Sequence, residues 1–128
     1  MEILSSRVLL RPGDLEASRR FYGETLGLAV YREFGPPDHP GVVYFLGQGL
    51  LELSGRADGP SGTRMGLWLQ VRDVRREEER LRQEGVTILR EARQEPWGLI
   101  ELWIADPDGH RIVLVEVPPD HPLRRDPR

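Results

Sequence analysis

The pattern of hydrophobic and polar positions is clearest near the end of the chain, between residues 99 and 117. Two apolar runs, residues 99–105 and 112–117, flank the tetrapeptide Asp-Pro-Asp-Gly at residues 106–109. Pro and Gly after Asp favour a tight turn, because Pro presets φ and Gly accepts a positive φ. Two apolar runs around such a turn predict a β-hairpin.

The two faces of this predicted hairpin differ in chemistry, since successive side chains of a strand point to opposite sides. One face is aliphatic and is expected to meet helices. The opposite face carries Glu101, Trp103 and Arg111. A mixed charged and aromatic face suits a ligand cavity, and a sheet with one solvated face is the alternative interpretation. The aliphatic face comprises Ile100, Leu102, Ile104, Ile112 and Leu114.

The rest of the chain follows an order of elements that occurs twice. Asp14 and Asp73 are predicted helix N-caps, because a carboxylate accepts from the free N–H groups of a first helical turn. Gly27 and Gly85 are predicted to end the same helices, which run to about residues 26 and 84. The remaining predicted strands are residues 3–11, 28–33, 42–46, 50–54, 65–71 and 86–89.

This repetition predicts an α+β fold of two βαβββ modules, with a spacing near sixty residues. We expect one domain over residues 1–118, with module one at residues 1–55 and module two at residues 65–118. Residues 56–64 are polar and Gly-rich and are predicted to link the modules. Residues 119–128 are rich in Pro and Arg and are predicted to form a loose tail.

Composition narrows the function. The chain has 128 residues, a formal net charge of −3, 38% hydrophobic and 30% charged residues, which is typical of a globular domain with its own core. No long apolar run or basic patch is present, so we expect no membrane and no nucleic-acid partner. The N-terminus lacks the apolar segment of a signal peptide, which favours a cytoplasmic location. All 18 basic side chains are Arg and there is no Cys, which excludes disulfides, thiolate chemistry and Schiff-base lysines.

Two stretches, one near each end, carry a family resemblance. RVLLRPGDLEASRRFYGETLGL resembles the opening of the glyoxalase/bleomycin-resistance/extradiol-dioxygenase superfamily, also called vicinal oxygen chelate proteins, and IADPDGHRIVLVEV resembles its closing hairpin. EPWG resembles the metal-free bleomycin-resistance branch in particular. The resemblance implies eight strands in two curved mixed sheets around a cavity, and a homodimer that in some members exchanges halves between chains.

The resemblance also implies where a metal would be bound in the enzymes of this superfamily. The implied ligand positions are Arg7, Glu52, Gly66 and Val113. Of these four side chains, that of Glu52 alone can ligate a metal, and Arg7 would bring a fixed positive charge to the position of the cation. Divalent sites use three or more N or O ligands. We therefore expect no metal and no cofactor.

The three histidines do not replace the missing ligands. His39 lies in a predicted loop and His121 in the predicted tail. His110 shares the strand parity of Ile112 or lies in the turn. We interpret all three as surface residues.

Strand parity predicts a set of ligand-facing side chains. Two Trp faces can clamp a flat or cationic group, and Arg can bind a carboxylate or phosphate bidentately. Glu52 and Glu101 are candidate catalytic acid–base residues. Internal pairing of Glu52 with Arg7 and plain packing of Trp68 and Trp103 are the alternatives. The predicted ligand-binding residues are Arg7, Arg11, Phe45, Glu52, Trp68, Gln70, Trp97, Glu101, Trp103 and Arg111.

Four functions remain open at this point. The first is a metal-independent protein that binds a flat amphipathic small molecule, such as an antibiotic-sequestering resistance protein. The second is a lyase, isomerase or dioxygenase of the superfamily, for example lactoylglutathione-lyase-like, with a degenerate metal site. The third is a metal-free enzyme with Glu52 or Glu101 as base. The fourth is an accessory or regulatory domain without a ligand.

Overall fold

The chain divides into two compact units in a computed structural model that describes residues 1–57, 59–60, 62 and 64–123. Unit 1 is Met1–Ser61 and unit 2 is Gly62–Arg128. The predicted linker and the predicted loose tail lie partly outside the described residues. In the part of the chain described, no helix is long and apolar enough to cross a membrane.

Unit 1 is a four-stranded mixed sheet with one helical segment. Its strands follow the order β1-β4-β3-β2, in which β1 and β4 are parallel and the other pairs are antiparallel. The helical segment contributes the buried Tyr22, which shares the core with Tyr44 and Leu51. The elements are β1 (Val8–Leu10), α1 (Leu15–Arg19), a π-helix (Arg20–Thr25), β2 (Val30–Phe34), β3 (Gly41–Leu46) and β4 (Gly49–Leu53).

Unit 2 repeats this arrangement. Its strands follow the order β5-β8-β7-β6, again with one parallel pair, β5 and β8. Helix α2 buries Val74 and Leu81 and contacts β6, β7 and β8. The elements are β5 (Gly66–Gln70), α2 (Val74–Gln83), β6 (Thr87–Gln94), β7 (Ile100–Ala105) and β8 (Arg111–Glu116).

The structure confirms the predicted α+β fold with two βαβββ modules, and it confirms the local signals that define them. Asp14 accepts from Ala17 N at 3.2 Å and Asp73 from Arg76 N at 3.0 Å, as N-caps do. Gly27 and Gly85 have φ of 76° and 79°, the left-handed conformation that ends a helix. The predicted aliphatic face of the last hairpin is largely buried, and Leu102, Ile104, Ile112 and Leu114 are at most 4% exposed.

Two predicted boundaries are wrong, those of the first strand and of β6, while the first helical segment ends at Thr25, close to the predicted residue 26, but changes its helix type on the way. The first strand covers Val8–Leu10 instead of residues 3–11. The first α-helix ends at Arg19 and continues as a π-helix, in which Leu26 N bonds Phe21 O at 2.8 Å. Its wider turn contains Gly23, where a Cβ would lie 3.2 Å from the Tyr44 hydroxyl. Strand β6 extends to Gln94 instead of ending at residue 89.

Candidate polar sites in the two units

One face of the unit 1 sheet carries a chain of charged contacts, which we call the Arg7–Arg11 cluster. Arg7 Nη1 donates to Glu52 Oε1 at 2.9 Å. Ser54 Oγ donates to Glu52 Oε2 at 2.6 Å and accepts from Arg11 Nη1 at 2.7 Å. Arg11 Nη1 also contacts the Ser54 carbonyl at 3.2 Å. The cluster thus contains the Arg7–Glu52 ion pair that the sequence left open as an alternative to a ligand role.

The electrostatics of Glu52 follow from these contacts. The hydrogen bond from Ser54 is the largest influence, and with Arg7 it holds the pKa of Glu52 below its ordinary value despite partial burial. A carboxylate with a lowered pKa is a weaker base. Its two oxygens are already occupied by Ser54 and Arg7, so Glu52 is poorly placed for proton abstraction.

The implied metal positions do not fit a divalent ion. In unit 1, the guanidinium of Arg7 pairs with Glu52, which is the one carboxylate among the four positions. In unit 2, the side chains of Gly66 and Val113 have no atom that can ligate a metal ion. A side chain at Gly66 would also be crowded, because a Cβ there would lie 3.0 Å from Arg111 O and 3.3 Å from Arg111 Nε.

One face of the unit 2 sheet carries the aromatic and charged residues, which we call the tryptophan face. The strand register aligns Trp68 with Val113, and Val113 with Trp103. Trp103 is in turn aligned with Arg90 of β6. Because residues aligned across a sheet point to the same side, these four side chains form one row across the tryptophan face.

Glu101 is a buried acceptor at the centre of this face, with a residue exposure of 7%. Its Oε2 accepts from Trp97 Nε1 at 3.0 Å, and its Oε1 accepts from Trp103 Nε1 at 3.2 Å. Arg90 Nη2 lies 3.7 Å from the same Oε1. The structure therefore brings Trp97, Glu101 and Trp103 together, and it commits the Glu101 carboxylate to two indoles and a guanidinium.

Arg90, Arg93 and Glu95 belong to this network but were missed by sequence reasoning. Glu95 has a side-chain exposure of 2%, forms a short ion pair with Arg90 and accepts from Arg93 Nε at 3.3 Å. The carbon of the Arg90 guanidinium lies 3.9 Å from the centroid of the Trp103 ring, over its face. The sequence shows only a Glu directly before Pro-Trp-Gly, and the burial that makes this Glu need a cation partner is visible only in the structure.

The other predicted site residues are more isolated. Trp68 is 52% exposed and Phe45 is 47% exposed, with the Phe45 ring 5.2 Å from that of Tyr31. Gln70 is exposed and has no side-chain hydrogen bond within the described residues. Arg111 lies with its guanidinium carbon 5.1 Å from the Trp103 centroid.

His39 is exposed in the loop between β2 and β3, as predicted, His110 follows the last turn and His121 lies after β8. His110 follows the last turn, where Asp106 Oδ1 accepts from the backbone N–H groups of Asp108 and His110 at 2.9 and 2.8 Å. Potential ligand atoms of Asp106, Asp108 and His110 lie within 4.8 Å of one another, a grouping that sequence reasoning missed. The Asp106 oxygen already holds the turn. His121 Nε2 contacts Trp97 O at 2.9 Å, and its Nδ1 accepts from Leu123 N at 3.1 Å.

Comparison with known proteins agrees with this architecture. The family model described as Glyoxalase/Bleomycin resistance protein/Dioxygenase superfamily matches residues 5–114. The chain belongs to this superfamily.

Curated and structural relatives give the same result. A protein named lactoylglutathione lyase from Salmonella typhimurium is 33% identical over 119 residues, which cover 84% of this chain and 88% of the relative. A glyoxalase-related enzyme from Fulvimarina pelagi is 31% identical, with a TM-score of 0.68 and coverage of 91% and 88%. A trypanothione-dependent glyoxalase I from Leishmania major is 27% identical, with a TM-score of 0.70 and coverage of 86% and 84%.

Proposed function

We propose that this protein is a metal-independent member of the superfamily that binds a flat, amphipathic small molecule, for example in antibiotic sequestration. The observation that carries the proposal is the donor set at the implied metal positions. Glu52 is already paired with Arg7, and Gly66 and Val113 have no ligating atoms. A guanidinium stays protonated and repels a cation, so these residues oppose binding of a divalent ion.

Binding is favoured over acid–base catalysis by the state of the two candidate carboxylates. Glu52 accepts from Arg7 and Ser54, and Glu101 accepts from two indoles. A general base needs an oxygen within hydrogen-bond reach of the substrate proton. Both residues therefore support the structure of the polar faces better than they support proton transfer.

Metal analysis and ligand screening together test this proposal. We expect no stoichiometric Zn, Ni, Mn or Fe after dialysis, and we expect a rise in melting temperature with members of a library of flat amphipathic compounds. Glu52→Gln serves as the matched variant, because it removes the one carboxylate of the implied set. One metal ion per chain that is lost in Glu52→Gln would overturn the proposal, and so would a library without effect.

A second candidate is a lyase, because several relatives near 33% identity are named lactoylglutathione lyase. This candidate requires a metal site other than the implied one. It predicts that added Zn²⁺ or Ni²⁺ produces turnover in an assay for lactoylglutathione. Our proposal predicts no turnover above a blank, with a lactoylglutathione lyase as positive control.

The proposal includes a homodimer in the cytoplasm, as the sequence led us to expect. Each four-stranded sheet has two edge strands, and the outward backbone groups of an edge strand favour association. The exposed Leu9 and Phe45 on the unit 1 sheet add apolar surface. Sedimentation equilibrium should give twice the chain mass, and a species of 14.7 kDa at tens of micromolar would contradict the dimer.

A further inference from the structure

The charges of the tryptophan face do not balance. Two carboxylates, Glu95 and Glu101, face three guanidinium groups. Glu95 pairs with Arg90 and Arg93, while Glu101 binds two indoles and lies 3.7 Å from Arg90. Among the described residues, no carboxylate lies within ion-pair distance of Arg111. Arg111 is therefore the cation of this face that has no counter-charge within the described part of the chain.

The position of Arg111 is nevertheless well defined. Its Nε is buried and has no hydrogen-bond partner in the described part of the chain. Its guanidinium lies against the Trp103 ring on one side. It also lies close to Gly66, where a Cβ would come within 3.3 Å of Nε and 3.7 Å of Nη2. The Nε of Arg90 is buried in the same way, but a terminal nitrogen of Arg90 pairs with Glu95, whereas no hydrogen bond or ion pair involves the Arg111 guanidinium within the described residues.

An aromatic platform lies beside this cation. Gly66 is aligned with Arg111 across the parallel β5–β8 pair, and Trp68 is aligned with Val113, two residues further along on the same face. A diagonal neighbour on this face lies one strand across and two residues along, which separates the two Cα atoms by about 8 Å, comparable with the length of a small aromatic acid. The Trp68 side chain is half exposed, whereas Arg90 already lies over the ring of Trp103.

We propose that unit 2 binds a flat aromatic carboxylate, with the carboxylate on the terminal nitrogens of Arg111 and the ring stacked on Trp68. This inference rests on the proposed binding function and adds the sign of the ligand's charge. Arg7, Arg11 and Arg90 already have acceptors within the chain. The terminal donors of Arg111 have no partner among the residues that the structure describes, so they can serve a bidentate partner, the geometry in which guanidinium binds carboxylate most strongly.

Calorimetric titration with three matched probes tests the proposal on the full chain. Naphthoate, naphthamide and naphthylmethylammonium share a ring and differ in charge. We expect naphthoate to bind about tenfold or more tightly than naphthamide, since a hydrogen bond between two ionised groups is roughly twice as strong as one between neutral groups. The ammonium compound should bind most weakly, because it faces an unpaired Arg.

Variants assign the preference to residues. Arg111→Gln should reduce naphthoate to the affinity of naphthamide, and Arg111→Lys should retain part of the preference because it keeps the charge without the fork. Trp68→Ala should weaken the acid and the amide by the same factor, with Trp68→Phe restoring most of the affinity. Arg75→Gln, an exposed arginine of α2, is the charge-matched control and should change nothing. Circular dichroism confirms that each variant is folded.

The outcomes separate this proposal from the broader one. Equal affinities of the three probes, or an unchanged preference in Arg111→Gln, would overturn the assignment of the carboxylate to Arg111. The broader proposal, that the protein binds a flat small molecule, would still stand. If the ammonium compound bound most tightly, the face would prefer a cationic ligand, and the proposal of a carboxylate ligand would be wrong. No binding of any probe would also overturn this proposal, and the library screen would still decide whether the protein binds small molecules.

Discussion

The two units share one order of elements, and each polar face has one guanidinium group more than it has carboxylates, but the two faces differ in how that extra group is bonded. In unit 1, Glu52 joins Arg7 and Ser54, and Ser54 joins Arg11, so each side chain has a partner. In unit 2, Glu95 and Glu101 are buried and fully used, and Arg111 is left without a counter-charge among the described residues. The repeated fold thus fixes strand positions, while a few side chains decide whether a face is closed on itself or open to a ligand.

The difference also predicts how strongly each unit depends on its carboxylates. The unit 2 pair is shielded, because Glu95 has a side-chain exposure of 2% and Arg90 of 22%. The unit 1 pair is nearer to solvent, with 15% for Glu52 and 35% for Arg7. Removal of one partner of a buried pair leaves an uncompensated charge, whereas exposed pairs are screened by water. We therefore expect a graded series of effects on stability.

Glu95→Gln should have the largest effect. The change removes the charge of a buried carboxylate and leaves the half-buried Arg90 without its main partner, which should lower the free energy of unfolding by about 3 kcal/mol. Urea denaturation followed by Trp fluorescence measures the loss. Arg93→Gln removes the exposed partner of the same carboxylate and should cost less than about 1 kcal/mol. Equal losses in the two variants would show that the Glu95 pair is not shielded.

Trp103→Ala should come next, with a loss of about 2 kcal/mol for a half-buried ring that bonds Glu101 and lies under two guanidinium groups. Trp103→Phe is the matched control, because it keeps a ring for Arg90 and Arg111 and removes the indole donor. Most of the stability should return in this variant. A Phe variant as unstable as the Ala variant would assign the effect to the hydrogen bond alone.

Glu52→Gln should have a smaller effect, about 1 kcal/mol at neutral pH. The pKa of Glu52 is lowered in the folded state, so its stabilisation is complete above the unfolded-state pKa and is lost as the pH falls through the folded-state value. The difference between wild type and variant should therefore shrink as the pH falls from about 6 to about 3. A difference that stays constant over this range would show that the ionised form of Glu52 does not stabilise the folded protein.

Sequence reasoning reached the fold because its signals are local. The turn at Asp106 and the period of two on either side define the last hairpin, and Asp14 and Asp73 cap their helices as the pattern indicates. The extension of β6 was missed because the pairing shifts between Ile88 and Arg90 and again between Arg90 and Arg93. These irregularities break the period of two, which is the signal that identifies a strand.

The polar contacts were predictable only in part, for the same reason. Parity placed Arg7 and Glu52 on one face, so their ion pair was foreseen as an alternative. The pairing of Glu95 with Arg90 depends on the missed part of β6. The lack of an ion-pair partner for Arg111 among the described residues arises because Glu95 pairs with Arg90 and Arg93 instead. Such competition is a property of three-dimensional contacts, and the sequence gives no distance with which to resolve it.

Arg111→Gln should have the smallest effect on stability and is the sharpest test of the contrast between the units. Within the described residues the Arg111 side chain gives up no hydrogen bond or ion pair, and its Nε is buried without a partner. The variant loses a cation–π contact with Trp103 and relieves that unsatisfied group, two effects of opposite sign. We expect a change within about 0.5 kcal/mol in urea denaturation. Arg7→Gln, which removes the cation partner of Glu52, is the matched variant in unit 1 and should lower the free energy of unfolding by more. A loss for Arg111→Gln as large as that for Arg7→Gln would mean that Arg111 is held by the fold and is not kept for a ligand.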